Sequence, residues 1–268
     1  MGIANWIEIG RMDELGRMDT PMHRVDARAK AVVTFFFVAV VMSFPVHKVS
    51  ALTPFLLFPM ALVALGRIPA RVILSKILLA APFALVVGIF NPFIDRQPFT
   101  VIGPFTVTGG WMSFASIMLR FVLTVGAALA LVACTGMNRL GAGLGRLGVP
   151  RVFVVQLLFL YRYLFVVADE GGKMFRSVEL RSERARPLRL RTYGSLIGTL
   201  LLRSMDRAER VYRAMVARGF DGEIRVLQRS SFRWTDFWFM CGWLAYFIVA
   251  RVWNLADGMG FLLTRIVL

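Results

Sequence analysis

The sequence predicts an all-α membrane protein, with about five transmembrane helices and further amphipathic helices on the cytoplasmic side. Three observations predict it. Of the 268 residues, 57% are hydrophobic, and the mean hydropathy is +0.66. Charged residues make up 18%, against about 25% in soluble domains. The apolar residues gather in runs that approach the roughly 20 residues needed to cross a bilayer.

Residues 1–30 read as an N-terminal interfacial or cytoplasmic segment. Ile3, Trp6, Ile7 and Ile9 alternate with Glu8, Arg11, Asp13 and Glu14, and Gly10 and Gly16 limit helicity. No apolar core of a cleavable leader is seen there. Residues 31–137 read as transmembrane helices 1–4. The first apolar run, Ala31 to Phe44, ends at Pro45 and Lys48; the second spans Ala51 to Leu65. Each falls short of a straight span, which suggests two short helices joined by a tight hairpin. A basic loop follows at Gly66-Arg67-Ile68-Pro69-Ala70-Arg71. The third span runs from Val72 to Phe90, with Lys76 placed to snorkel. Asn91 to Gly110, rich in Pro, Gly, Thr and Phe, reads as a non-cytoplasmic loop. The fourth span covers Trp111 to Thr135, and its Gly126-Ala127-Ala128 step admits a close helix neighbour.

The character then changes. Residues 138–230 read as a cytoplasmic module; between 138 and 229 there are eighteen Lys and Arg against eight acids, a net of +10 out of the chain's +16. Val152 to Ala168 is apolar enough for a fifth span, but reads better as the start of a long helix that leaves the membrane. Residues 231–268 form a C-terminal transmembrane segment. Cytoplasmic loops of membrane proteins are enriched in Lys and Arg. The module, the N-terminus and the 66–71 loop are therefore placed together on the cytoplasmic side. The same bias explains the positive charge without nucleic acid.

Chemistry is sparse. Cys134 and Cys241 sit in or beside apolar runs and read as small hydrophobes. His23 and His47 lie in different segments, and no Cys/His cluster has metal-ligand spacing. No cofactor is implied. Gly141, Gly143, Gly145 and Gly148 suggest a phosphate loop, but no Gly-x-x-x-x-Gly-Lys-Ser/Thr occurs and no strand precedes them. A flexible connection is the better account, so any ATP hydrolysis belongs to another chain. The spans hold no paired nucleophile and base, which argues against an intramembrane enzyme. Arg120, about ten residues into the fourth span, is a candidate intramembrane functional residue, with Asp95 and Asn91 as candidate partners.

Two basic helices follow in tandem. Lys173 to Arg186 is helical by pattern up to Pro187. Further on, Leu201, Met205, Ala208, Tyr212 and Met215 repeat at helical spacing and form one apolar stripe. Asp206–Arg210 and Glu209–Arg213 are i,i+4 pairs on that helix, and Gly219 can end it. One helix ends near Leu180-Arg181-Ser182, the other at Ala217-Arg218-Gly219.

This tandem resembles the transmembrane T component of energy-coupling factor (ECF) transporters, which carries two short Ala-Arg-Gly-like motifs on cytoplasmic coupling helices. Ala217-Arg218-Gly219 matches the second motif outright. Leu180-Arg181-Ser182 matches the first with leucine for alanine and serine for glycine, and Ala185-Arg186-Pro187 is a rival for it. Residues 18–30, 200–209 and 210–222 are similar to the CbiQ, cobalt- and nickel-type, branch. The resemblance implies a non-enzymatic subunit that passes the motion of two ATP-binding-cassette ATPases to a substrate-binding membrane S component, with a small accessory membrane subunit. Arg181 and Arg218 would each anchor one ATPase. It implies cobalt as cargo, with nickel or a vitamin as alternatives. The rival reading is a membrane-anchored basic protein that binds anionic lipid.

Overall fold

The computed structural model describes residues 20–45, 49–94, 98–102, 105–181, 190–222 and 232–252. The chain divides into two compact units. One comprises Asp13–Gly143 with Ser230–Leu268, and the other Leu144–Arg229 with Met1–Met12.

In the first unit, a short helix α1 (Pro21–Arg24) precedes α2 (Ala27–Met42). A 3-10 segment (Ser50–Leu56) runs straight into α3 (Leu57–Gly66). The two short helices expected between Ala31 and Leu65 are therefore present, while residues 46–48 of the expected turn lie outside the described residues. At 1.5 Å per residue the 16 residues of α2 reach about 24 Å, short of a roughly 30 Å hydrocarbon core. Next come α4 (Ala70–Gly88) and α5 (Asn91–Ile94). The segment read from sequence as a loop also pairs β1 (Pro98–Ile102) with β2 (Phe105–Thr108), antiparallel, Ile102 opposite Phe105. Helices α6 (Gly109–Thr135) and α7 (Met137–Arg146) follow, and α10 (Trp234–Val252) completes the unit. The second unit holds α8 (Arg151–Arg181) and α9 (Leu190–Ala217).

By length and composition, three described helices are apolar enough to cross a membrane: α4, α6 and α8. Ser50–Gly66 is a shorter apolar helix. The fold class expected from sequence, a helical membrane protein, is what the chain adopts. The outer face of α4 presents Leu74, Leu78, Leu79, Phe83 and Val86, an apolar surface suited to lipid.

Lipid is as apolar as leucine, so helices in a bilayer associate by close packing and hydrogen bonds rather than by apolar burial. Both are visible in the first unit. Helix α6 packs on α2, α3 and α4. Gly126 and Ala127 are buried, and a Cβ on Gly126 would stand 3.6 Å from Ile77 on α4, the close approach expected at this step. Ala128 is exposed, as helical rotation requires. Phe37, Phe55, Phe58 and Phe247 form a fully buried aromatic core between α2, the 3-10 segment, α3 and α10. Phe37 and Phe58 lie 4.8 Å apart by ring centroid, and Phe58 meets Trp243 edge-on at 5.0 Å. The Tyr246 hydroxyl donates to the Pro54 carbonyl at 2.8 Å.

One reading from sequence is corrected. The glycines at 141, 143 and 145 are not in a flexible loop; they lie within α7. Leu140 and Gly143 are buried, and a Cβ on Gly143 would come within 3.1 Å of Ala27 Cβ. Gly143 lets α2 approach closely, while a Cβ on Gly145, on the other side of the helix, would stand 3.6 Å from Val154. Gly148, at φ +100°, ends the helix, with the Val149 amide donating back to Leu144.

Candidate functional site

Helices α8 and α9 form an antiparallel hairpin. Phe175 lies against Tyr193 at 6.1 Å, a Cβ on Gly171 would meet Leu200 at 3.2 Å, Arg207 donates to Glu170 at 3.2 Å, and Phe159 lies 6.3 Å from Phe220. The order descends on α8 as it ascends on α9. Arg203 also approaches Glu170, at 3.8 Å. The Glu209–Arg213 pair expected from sequence is formed. A cavity of about 600 Å³ runs between the helices, lined by Phe159, Tyr163, Val211, Met215 and Phe220 among others.

The apolar stripe read on α9 is only partly the packed one. Met215 faces the hairpin, but Leu201 and Met205 are 60% and 62% exposed. The packed row is Leu200, Ser204, Val211 and Met215, largely one residue earlier. Ser204 interrupts the apolar pattern of the packed row, so the hydrophobic periodicity points to the adjacent row instead.

Ala217-Arg218-Gly219 closes α9. The Gly219 amide donates to Val216 and the Phe220 amide to Met215, the bond pair of a Schellman motif. That motif needs a left-handed residue, and Gly219 has φ +81°. Phe220 then folds back onto Phe159, the apolar contact that accompanies such a turn. Arg218 is left exposed at the negative end of the helix dipole, where a cation is favoured. Space around Gly219 is open, so a Cβ there would meet no neighbour. Gly219→Ala is therefore expected to cost about 1–2 kcal/mol through backbone strain alone. Thermal unfolding of the purified variant measures this, and Ala at Arg218 is the comparison, since it leaves the turn intact.

Leu180 and Arg181 are the last residues of α8, both exposed, Leu180 at 81%. Ser182, and the rival Ala185-Arg186-Pro187, lie outside the described residues. The level of Phe220 on the hairpin is that of Phe159, so helical rise separates the two motifs by roughly 30 Å.

Arg120, half-buried in α6, donates from Nη2 to the carbonyls of Phe44 and Pro45 at 2.8 and 2.9 Å. Its partners are thus main-chain oxygens just past the C-terminus of α2; Asp95 lies outside the described residues. Arg251, which sequence reasoning missed, reaches the same turn from α10. It donates to the Ser43 carbonyl at 3.1 Å and lies over the Phe44 ring at 4.2 Å. The last carbonyls of a helix have no partner within it, and a cation favours that end. Its signal in sequence is a basic residue near the end of an apolar helix.

Among the described residues no group of three or more His, Cys, Asp or Glu could hold a metal ion.

Residues 18–229 match the family described as CbiQ, cobalt transport protein. The chain is 32% identical over 114 residues to the cobalt transport protein CbiQ of Rhodobacter capsulatus, covering 42% of this chain and 47% of that protein. It is 25% identical over 254 residues to the energy-coupling factor transporter transmembrane protein EcfT of Leuconostoc gelidum subsp. gasicomitatum, covering 87% and 93%. It is 31% identical over 140 residues to the nickel permease LarQ of Lactiplantibacillus plantarum, covering half of each. The chain thus spans about half the length of the first and third of these relatives, and nearly all of the second. With apolar spans and a family match across most of its length, the chain belongs to the CbiQ family of multi-pass, non-catalytic membrane proteins, the transmembrane T components of ECF transporters.

Proposed function

We propose that this chain couples two ATP-binding-cassette ATPases to a substrate-binding S component for uptake of cobalt(II), with a small accessory membrane subunit in the complex. Residues 138–230 are the coupling module, on the cytoplasmic side with the N-terminus except for the apolar first part of α8, from which that helix leaves the membrane. Leu180-Arg181-Ser182 and Ala217-Arg218-Gly219 each present one arginine to one ATPase. The observation that carries this reading is the end of α9, where a closed turn leaves Arg218 exposed at a defined place. A planar guanidinium suits such a grip because it makes several directional bonds at once. The separation of the motifs along the hairpin supports two separate grips.

Nickel(II) is the second reading, favoured by a nickel permease about as similar as the cobalt protein. The complete complex, reconstituted in vesicles with its ATPases and S component, is expected to take up cobalt(II) only when ATP is supplied. Preference for nickel(II) reassigns the cargo. Salt-sensitive adhesion to anionic vesicles as the sole activity overturns the transporter reading in favour of a basic lipid-binding protein.

A further inference from the structure

The segment from Thr20 to Lys30 lies within the family match, yet the coupling motifs make no use of it. Its interior is polar. Lys30, His23 and Asp26 are buried, as is Asp236 from the start of α10, and Lys30 and Asp236 are each only 1% exposed. Burying a charge is costly unless hydrogen bonds replace its water.

Those bonds follow one rule: each charge sits at the helix ends whose dipole it matches. The Lys30 ammonium donates to Met22 O, near the C-terminus of α1, and to Cys134 O, near the C-terminus of α6, both at 3.1 Å. Arg139 of α7 adds a bond to His23 O at 3.2 Å, also near the end of α1. The Asp236 carboxylate does the converse. One oxygen accepts the Arg233 amide at 2.7 Å, the back-bond of a capping box at the start of α10. The other accepts the Asp26 amide at 2.9 Å. Asp26 is itself the N-cap of α2, accepting from the Arg28 amide at 2.9 Å. Two buried side chains thereby join four helix ends.

All of these residues lie in the first unit. The chain leaves that unit after Gly143 and returns at Ser230. The outgoing stretch begins at Gly136, in a left-handed conformation (φ +74°), and continues through Arg139 to Gly143, which packs on Ala27. The returning stretch begins α10 at Arg233 to Asp236. Both strands of the connection to the coupling module are fastened to the same eleven-residue segment, 20–30.

We propose that Lys30 and Asp236 are positioning residues for energy coupling: they form a polar clasp that transmits displacement of the coupling module to the spans. This rests on the coupling reading above. A merely structural clasp would fail in a different way, and that difference is measurable.

The test uses the full complex with its ATPases. Cys241 is replaced by serine, and an environment-sensitive fluorophore is attached at Leu78→Cys, on the exposed face of α4. Three clasp variants are compared with this parent: Lys30→Met, Asp236→Asn and Gly143→Val. The third keeps every charge and wedges α7 from α2. In the parent, ATP is expected to change the fluorescence. In the variants, ATPase retained on the complex is expected to stay within twofold of the parent, while the ATP-dependent change falls at least tenfold. If Lys30→Met yields no folded protein, the other two decide. The clasp is overturned if the ATP response persists in the variants that fold, or if response and retained ATPase fall in proportion. A parent that holds ATPase but shows no response also overturns it. A parent that holds no ATPase sinks the coupling reading beneath it, a separately visible failure.

Discussion

Arg181→Ala combined with Arg218→Ala is expected to abolish capture of the ATPases. Each guanidinium lies at the exposed C-terminal end of its helix, and the two ends are far enough apart to act independently. Removing one member of a charge pair that becomes buried on binding leaves its partner unpaired, at a cost of about 2–5 kcal/mol. At 1.4 kcal/mol per tenfold, each single substitution should weaken association by roughly 30-fold or more. Arg218→Ala is expected to be the more damaging single change, because its motif is intact and its turn is closed. Arg218→Glu adds repulsion and should be worse still. Arg229→Ala, outside both motifs, should have little effect. Co-purification of the ATPase with each variant, followed by ATP hydrolysis in the complex, measures the series. If the double variant retains ATPase as well as the natural chain does, diffuse basic attraction replaces the two-anchor account.

Arg120→Leu is expected to have the largest effect on the stability of the chain. It removes both bonds to the turn after α2, one of them to the carbonyl of the buried Phe44 and the other to the exposed Pro45. An unsatisfied buried acceptor costs about 1–3 kcal/mol, so the loss is set mainly by the Phe44 carbonyl. Arg120→Lys keeps the charge but reaches with a single ammonium, and should recover only part of this. Unfolding of the detergent-solubilised variants measures the difference. Captured ATPase, corrected for folded protein, should be unchanged, since Arg120 belongs to the unit that lacks the coupling motifs. A leucine variant as stable as the natural chain would remove Arg120 from its capping role.

The membrane class was legible because apolar run length is a direct consequence of bilayer thickness. The positions of α2, α4 and α6 were legible for the same reason, within a few residues. The end of α9 was legible because glycine after an amphipathic helix has a single common explanation. What escaped was pairing. Arg120 was visible as a cation in a span, but main-chain carbonyls carry no signature in sequence, so its partners could not be read. Asp236 carries no signature in sequence, because its second bond, to residue 26, crosses 210 of the 268 residues. The α7 glycines were misread because glycine serves both a loop and a tight helix crossing, and only the neighbour, Ala27, distinguishes them. The hairpin face of α9 was off by one row because the packed row is interrupted by Ser204, whereas the row beside it carries the cleaner apolar pattern.

Helix α8 is a single rod of 31 residues with no proline, about 46 Å long. Tilting such a rod by about 10° sweeps its far tip through roughly 8 Å, so a small rotation where one end is held becomes a large stroke at the other. A stroke survives only as far as the rod resists bending. Adjacent glycines are among the few places where a helix bends easily, and α8 has one such pair, Gly171-Gly172, about ten residues before Arg181. The first of them is crowded by Leu200 and the second has open space beside it. Bending of the rod is therefore concentrated at one joint near its Arg181 end, braced on one side by α9; if an ATPase grips that end as proposed, the stiffness of this joint sets how much of a stroke passes along the rod.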